Sequence, residues 1–126
     1  MTRSLVPLAV LFALFLAFRW VTSGGERQPP ETVAQAIAGG AQVLDVRTAQ
    51  EYAGGHVVGA RHANILEPGF EQAVAGLDRS EPVYVYCASG HRSGRAAGKL
   101  EALGFESVVN AGGLSDLARA GVPTER

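Results

Sequence analysis

The stretch Tyr84-Val85-Tyr86-Cys87-Ala88-Ser89-Gly90-His91-Arg92-Ser93-Gly94-Arg95 decides how this chain is read. Residues 83–86 are β-branched or aromatic and short enough for a buried strand. From Ser93 onward, Ala96, Ala97, Leu100 and Leu103 recur at helical spacing. The chain must therefore turn between a strand and a helix, and that turn carries the only cysteine. A tight turn into a helix leaves several backbone N–H groups without intrahelical partners, at the positive end of the helix dipole, where they favour an anion. The same field favours the thiolate of Cys87, and the thiolate is the nucleophilic form. Cys87 is thus the expected catalytic residue. Ala88, Ser89, Gly90, His91 and Arg92 are expected to line the anion cradle and bind substrate, with Arg92 either holding an oxyanion or ordering the loop. Arg92, Arg95 and Lys99 share one helical face and are expected to add positive charge beside the sulfur. Ser93 is expected to cap the helix and so order the loop.

Strand and helix signals continue outward from this loop. Residues 31–38 place Val33, Ala34 and Ile37 on one helical face and stop at Gly39-Gly40. Residues 42–46 read as a strand ending at Asp45-Val46-Arg47. Thr48 with Glu51 has the spacing of a capping box for a brief helix that Gly54-Gly55 ends. Residues 56–64 read as a loop containing a short strand. Residues 68–77 read as an amphipathic helix with Phe70, Val74 and Leu77 inward. After the central strand and helix come a last strand at 107–109, a tight turn at Gly112-Gly113 and a closing helix at 114–120. Strands alternating with helices at this spacing predict an α/β fold with a mainly parallel sheet covered on both faces. Ligands in such sheets sit at the carboxyl ends of the strands, where Arg47 and Cys87 both fall. Arg47 is therefore expected either to touch substrate or to pair with a local carboxylate, Asp45 or Glu51. His56 is expected to bond a loop carbonyl, and His91 to adjust the loop's potential when protonated.

Charge and cysteine count exclude several classes of function. Lys and Arg total 11 against 12 Asp and Glu in the whole chain, a net charge of −1, which argues against nucleic acid as a partner. From Pro29 onward the balance is 8 to 11, so anion binding is a property of the loop and not of the whole surface. One cysteine permits no intramolecular disulfide and no multi-cysteine metal site, and three scattered histidines do not supply one. No metal and no cofactor are expected.

Four short motifs, in order, resemble the signatures of the rhodanese (sulfurtransferase) family. They are Leu44-Asp45-Val46-Arg47, then Glu51-Tyr52-Ala53-Gly54-Gly55-His56-Val57-Val58-Gly59-Ala60, then the Cys-x-x-Gly-x-Arg-Ser loop at 87–93, then Asn110-Ala111-Gly112-Gly113. The resemblance spans about residues 31 to 124. It departs from the family at Leu117, where many members place a tryptophan, and at Ala111, where larger residues are frequent. The resemblance implies a three-layer rhodanese-like fold, with the sheet flanked by helices. It also implies transfer of a sulfane sulfur from thiosulfate or a similar small anionic donor to cyanide or a thiol through a Cys87 persulfide; any protein acceptor is unknown. In that setting Asp45 and Ser93 order the loop. A Cys-dependent phosphatase or arsenate reductase is the rival reading, since it too cradles an oxyanion with loop amides and an arginine. Its signature places one more residue between cysteine and arginine than the four separating Cys87 from Arg92. A third reading is a membrane-tethered, non-catalytic module that binds a partner or carries persulfide.

Ahead of the domain, residues 1–21 contain fourteen apolar residues between Arg3 and Arg19 and read as a signal peptide or a membrane anchor. Residues 22–30, with two glycines and two prolines, read as a linker, and residues 31–126 as the domain. This arrangement predicts a cell-envelope location, with the domain outside the cytoplasm, either held at the membrane or exported after cleavage.

Overall fold

The structure is a computed structural model that describes residues 25–126. The expectation for residues 1–21 lies outside the described residues. Among the described residues, no helix is long and apolar enough to cross a membrane.

Five parallel strands form the central sheet: β1 (Glu26–Arg27), β2 (Gln42–Asp45), β4 (Arg61–His62), β5 (Val83–Cys87) and β6 (Val108–Gly113). Their order across the sheet is β1-β6-β5-β2-β4. A second, two-stranded antiparallel sheet joins β3 (His56–Val57) to β7 (Thr124–Glu125). The helices are α1 (Pro30–Ala38), α2 (Ala49–Ala53), α3 (Phe70–Ala73), α4 (His91–Ala102) and α5 (Leu114–Arg119).

Strand periodicity divides the interior into two apolar layers. Leu44, Val83, Val85 and Cys87 point to one face, where they meet Phe70, Val74, Ala96, Ala97 and Leu100. Val43 and Tyr86 point to the other, against Val33, Leu117 and Val122. Successive residues of β2 and β5 thus feed opposite faces, as a period of two requires when both faces are covered. The expected three layers follow: α3 and α4 on one side, α1 and α5 on the other, with the sheet between.

Several local expectations change. The stretch read as a linker contributes β1, an edge strand beside β6, so the folded unit begins before residue 31. α1 starts at Pro30, where a missing N–H costs nothing in the first turn. The helix expected over 68–77 shrinks to α3, entered from Gly69 in the left-handed region and followed by turns, although Phe70 and Val74 are buried as expected. Gly112-Gly113 is not a free turn. Both residues continue β6, with a register shift opposite Val85 and Tyr86 that Gly112 accommodates at φ +82°.

Candidate active site

Cys87 is the last residue of β5 and is fully buried. Beyond it the chain makes one turn and enters α4 through Gly90, whose φ of +93° a side-chain-bearing residue adopts only with strain. That turn aims the Gly90 N–H at Cys87 Sγ, 2.9 Å away. The Ser93 hydroxyl lies 3.5 Å from the same sulfur. Burial pushes the Cys87 thiol up. The N–H groups of Ser93, Ser89 and Gly90 outweigh that and hold it below the ordinary thiol value. The N–H groups of Ser89, Gly90 and Ser93 thus converge on the sulfur.

Ser93 orders the loop by a different route from the one expected. Gly90 occupies the cap position, and Ser93 sits inside the first turn, buried. Its hydroxyl donates to Asn110 Oδ1 at 2.7 Å. Asn110 Nδ2 donates in turn to the Gly90 carbonyl at 3.0 Å, and the Gly112 N–H donates to Asn110 Oδ1 at 3.0 Å. One side chain on β6 thereby fixes both the helix start and the loop. β6 approaches so closely that a Cβ on Gly113 would collide with the Ala88 carbonyl. Replacing Ser93 with alanine is expected to raise the Cys87 pKa, because losing the bond to Asn110 loosens the first helical turn that presents the loop's N–H groups to the sulfur. The pH dependence of iodoacetamide alkylation measures it, and an unmoved profile would contradict this account of the sulfur.

Arg47 answers the alternative left open by the sequence. Its Nε bonds both oxygens of Asp45 at 3.1 Å, and its Nη2 bonds Asp45 Oδ2 at 2.7 Å and the Gly55 carbonyl at 2.6 Å. With 6% of its surface accessible, Arg47 takes up the pairing with the local carboxylate Asp45, one of the two partners the sequence offered it. Asp45 also accepts from the Arg47 N–H and from the Tyr86 hydroxyl at 2.6 Å, while Tyr86 accepts from the Val57 N–H at 3.0 Å. Asp45 therefore acts on the cysteine loop through Tyr86, the neighbour of Cys87, and makes no direct bond to that loop. Burial, then the bond to Asp45, raises the Tyr86 phenol far above its usual range, keeping it a neutral donor.

Arg92 leans across the loop to Glu51, with Nη1 on Oε1 at 2.7 Å and Nη2 on Oε2 at 2.9 Å. Glu51 is also the second half of the capping box with Thr48, which forms as expected. Arg92 holds the Glu51 carboxyl at about 2. A carboxyl depressed in the folded state contributes stability above its ordinary pKa and loses it as the pH falls toward that value, so this tie is intact at neutral pH and fails only in acid. Lys99 departs from expectation. It lies in the last turn of α4 over the Phe70 ring, away from the sulfur.

His56 Nδ1 lies 2.9 Å from the Tyr52 carbonyl, which belongs to α2 and not to a loop as expected, and its ring stacks on Tyr52. His91 opens α4 and is exposed. Leu117 and Ala111, the two departures from the family pattern, are buried in the apolar layer behind the sheet. Glu51 and Asn110 are the partners of the loop that sequence reasoning did not single out. A capping-box residue and an asparagine before Gly-Gly were visible, but their loop contacts span 41 and 20 residues.

The family model described as a rhodanese-like domain matches residues 29–120. Thiosulfate sulfurtransferase PspE of Escherichia coli (strain K12) is 40% identical over 75 residues, covering 60% of this chain and 72% of that protein. Thiosulfate sulfurtransferase GlpE of Pseudomonas aeruginosa is 35% identical over 100 residues, covering 79% of this chain and 89% of that protein. Among solved structures, the rhodanese-like domain of the Anabaena Alr3790 protein superposes with a TM-score of 0.68 at 30% identity, covering 79% of this chain and 77% of that one. A rhodanese with anions from E. coli superposes with a TM-score of 0.58 at 35% identity, covering 68% and 96%.

Proposed function

The chain belongs to the rhodanese-like family and is a sulfurtransferase of the thiosulfate type, and from that premise we propose that Cys87 carries the sulfur as a persulfide. The Cys87 thiolate attacks the outer sulfur of thiosulfate. The new S–S bond forms on Sγ, the S–S bond of thiosulfate breaks, and sulfite leaves with the electron pair. A cyanide ion or a thiolate then attacks the outer sulfur of the persulfide, which returns Cys87 as thiolate. No base is required, because the sulfur is both nucleophile and leaving group. The single observation carrying this reading is the Gly90 N–H aimed at Sγ from 2.9 Å. Such fixed donors stabilise a sulfur anion without reorganising during reaction.

Ala88, Ser89, Gly90, His91 and Arg92 form the mouth through which the donor's sulfonate enters. Cys87 is fully buried, so the donor must part that mouth to reach the sulfur. Arg92 lies within electrostatic reach of the sulfur, since the Cys87 thiolate contributes to raising its pKa after Glu51 does. Arg92→Ala is expected to lower kcat/KM for thiosulfate about tenfold or more, because it removes a charge-assisted contact and leaves Glu51 unpaired beside the loop. Arg92→Lys recovers only part, since a point charge cannot reproduce the two-pronged bond. Equal kcat/KM in wild type and Arg92→Ala would remove Arg92 from the site.

Sulfite release tests the whole reading. Mixed with thiosulfate and no acceptor, the protein should release one equivalent of sulfite per cysteine and then stop. The absence of a burst, or hydrolysis of an aryl phosphate by the same preparation, would replace the persulfide reading with the phosphatase one. Residues 1–21 are assigned, on their apolar run between arginines, to holding or exporting the domain at the cell envelope. Carbonate-washed membrane fractions test this by retaining the protein or releasing a shortened form.

A further inference from the structure

Arg27 stands on β1, just ahead of the segment that matches the family model. β1 runs beside β6, and the register of Arg27 with Asn110 places it at the flank of the cysteine loop. Its Nη2 donates to the Ser89 carbonyl at 3.1 Å. That carbonyl belongs to the same peptide unit as the Gly90 N–H, which donates to Cys87 Sγ at 2.9 Å. The next carbonyl of the loop, that of Gly90, is held by Asn110. Two consecutive peptides of the loop are thus gripped by their oxygens from β1 and β6.

Nothing intervenes between the guanidinium and the loop backbone. A Cβ on Gly90 would stand 2.7 Å from Arg27 Nη2, and one on Gly112 would stand 3.1 Å from the same atom. Two other arginines near the loop are committed elsewhere, Arg47 to Asp45 and Arg92 to Glu51. Among the described residues Arg27 forms no ion pair that would neutralise it.

We propose that Arg27 is a positioning residue for the sulfur chemistry. By binding the Ser89 carbonyl, it fixes the tilt of the Ser89–Gly90 peptide and polarises it, so the Gly90 N–H becomes a stronger donor to the Cys87 thiolate and to the persulfide that replaces it. The effect passes through one peptide unit and needs no contact with substrate. It rests on Cys87 as the reacting group, yet it acts on the free thiol and is measurable without any sulfur donor.

The test is the pH dependence of iodoacetamide alkylation of Cys87 in the full chain. Arg27→Ala should move the titration up by roughly half a unit, about a threefold loss of thiolate at any pH below both values. Arg27→Lys should recover part of the shift. Arg79→Gln, which removes one positive charge in the turn before the opposite end of β5, should leave the profile in place. A wild-type profile in Arg27→Ala, or an equal shift in Arg79→Gln, overturns the proposal. If the shift is seen but wild type releases no sulfite from thiosulfate, the sulfur-transfer reading fails and the role of Arg27 stands.

Discussion

Cys87→Ser is expected to abolish sulfur uptake and thiosulfate turnover while leaving the fold intact. A serine hydroxyl fits the same space and accepts the same Gly90 N–H. At neutral pH, however, it is neither ionised nor a good nucleophile toward divalent sulfur, so the donors of the loop have no anion to stabilise. Urea unfolding should move by less than about 1 kcal/mol, since the replacement neither opens a cavity nor strands a polar group. Residual sulfite release from the serine variant above background would place the reacting group elsewhere.

Asp45→Ala is expected to be the most damaging change to the structure itself. The carboxylate has no accessible surface and serves Arg47 through two nitrogens, the Arg47 N–H and the Tyr86 hydroxyl. Removing it leaves a guanidinium with 6% accessibility without its counter-charge. Breaking a buried pair from one side typically costs about 3–5 kcal/mol. Tyr86→Phe deletes one bond to Asp45 and the one accepted from the Val57 N–H but strands no charge, so a smaller loss of about 1–3 kcal/mol is expected. Urea midpoints at neutral pH check the order. An Asp45→Ala variant as stable as wild type would show that the cluster is dispensable.

The strand, turn and helix around Cys87 were legible because each rests on local chemistry. A β-branched run, a glycine able to take positive φ and an apolar face at helical spacing all lie within twenty residues. The capping box at Thr48 and Glu51 was legible for the same reason. The roles of Arg47 and Arg92 were not, because an arginine's partner is chosen by the fold. Asp45, two residues away, took one, and Glu51, on another helix, took the other. Ser93 was misplaced by a local rule. Serine is a good cap, but Gly90 reaches the left-handed conformation at lower cost and frees Ser93 to bond Asn110. The edge strand at Glu26–Arg27 left no pattern, since two exposed polar residues after a glycine pair look like a linker until β6 offers its edge.

The central claim is that a buried thiolate at the end of β5 stores one sulfur atom. The intact mass of the protein after exposure to thiosulfate tests it most directly. The account predicts a gain of one sulfur atom, removed by cyanide or dithiothreitol and absent in Cys87→Ser. An unchanged wild-type mass after thiosulfate would contradict it.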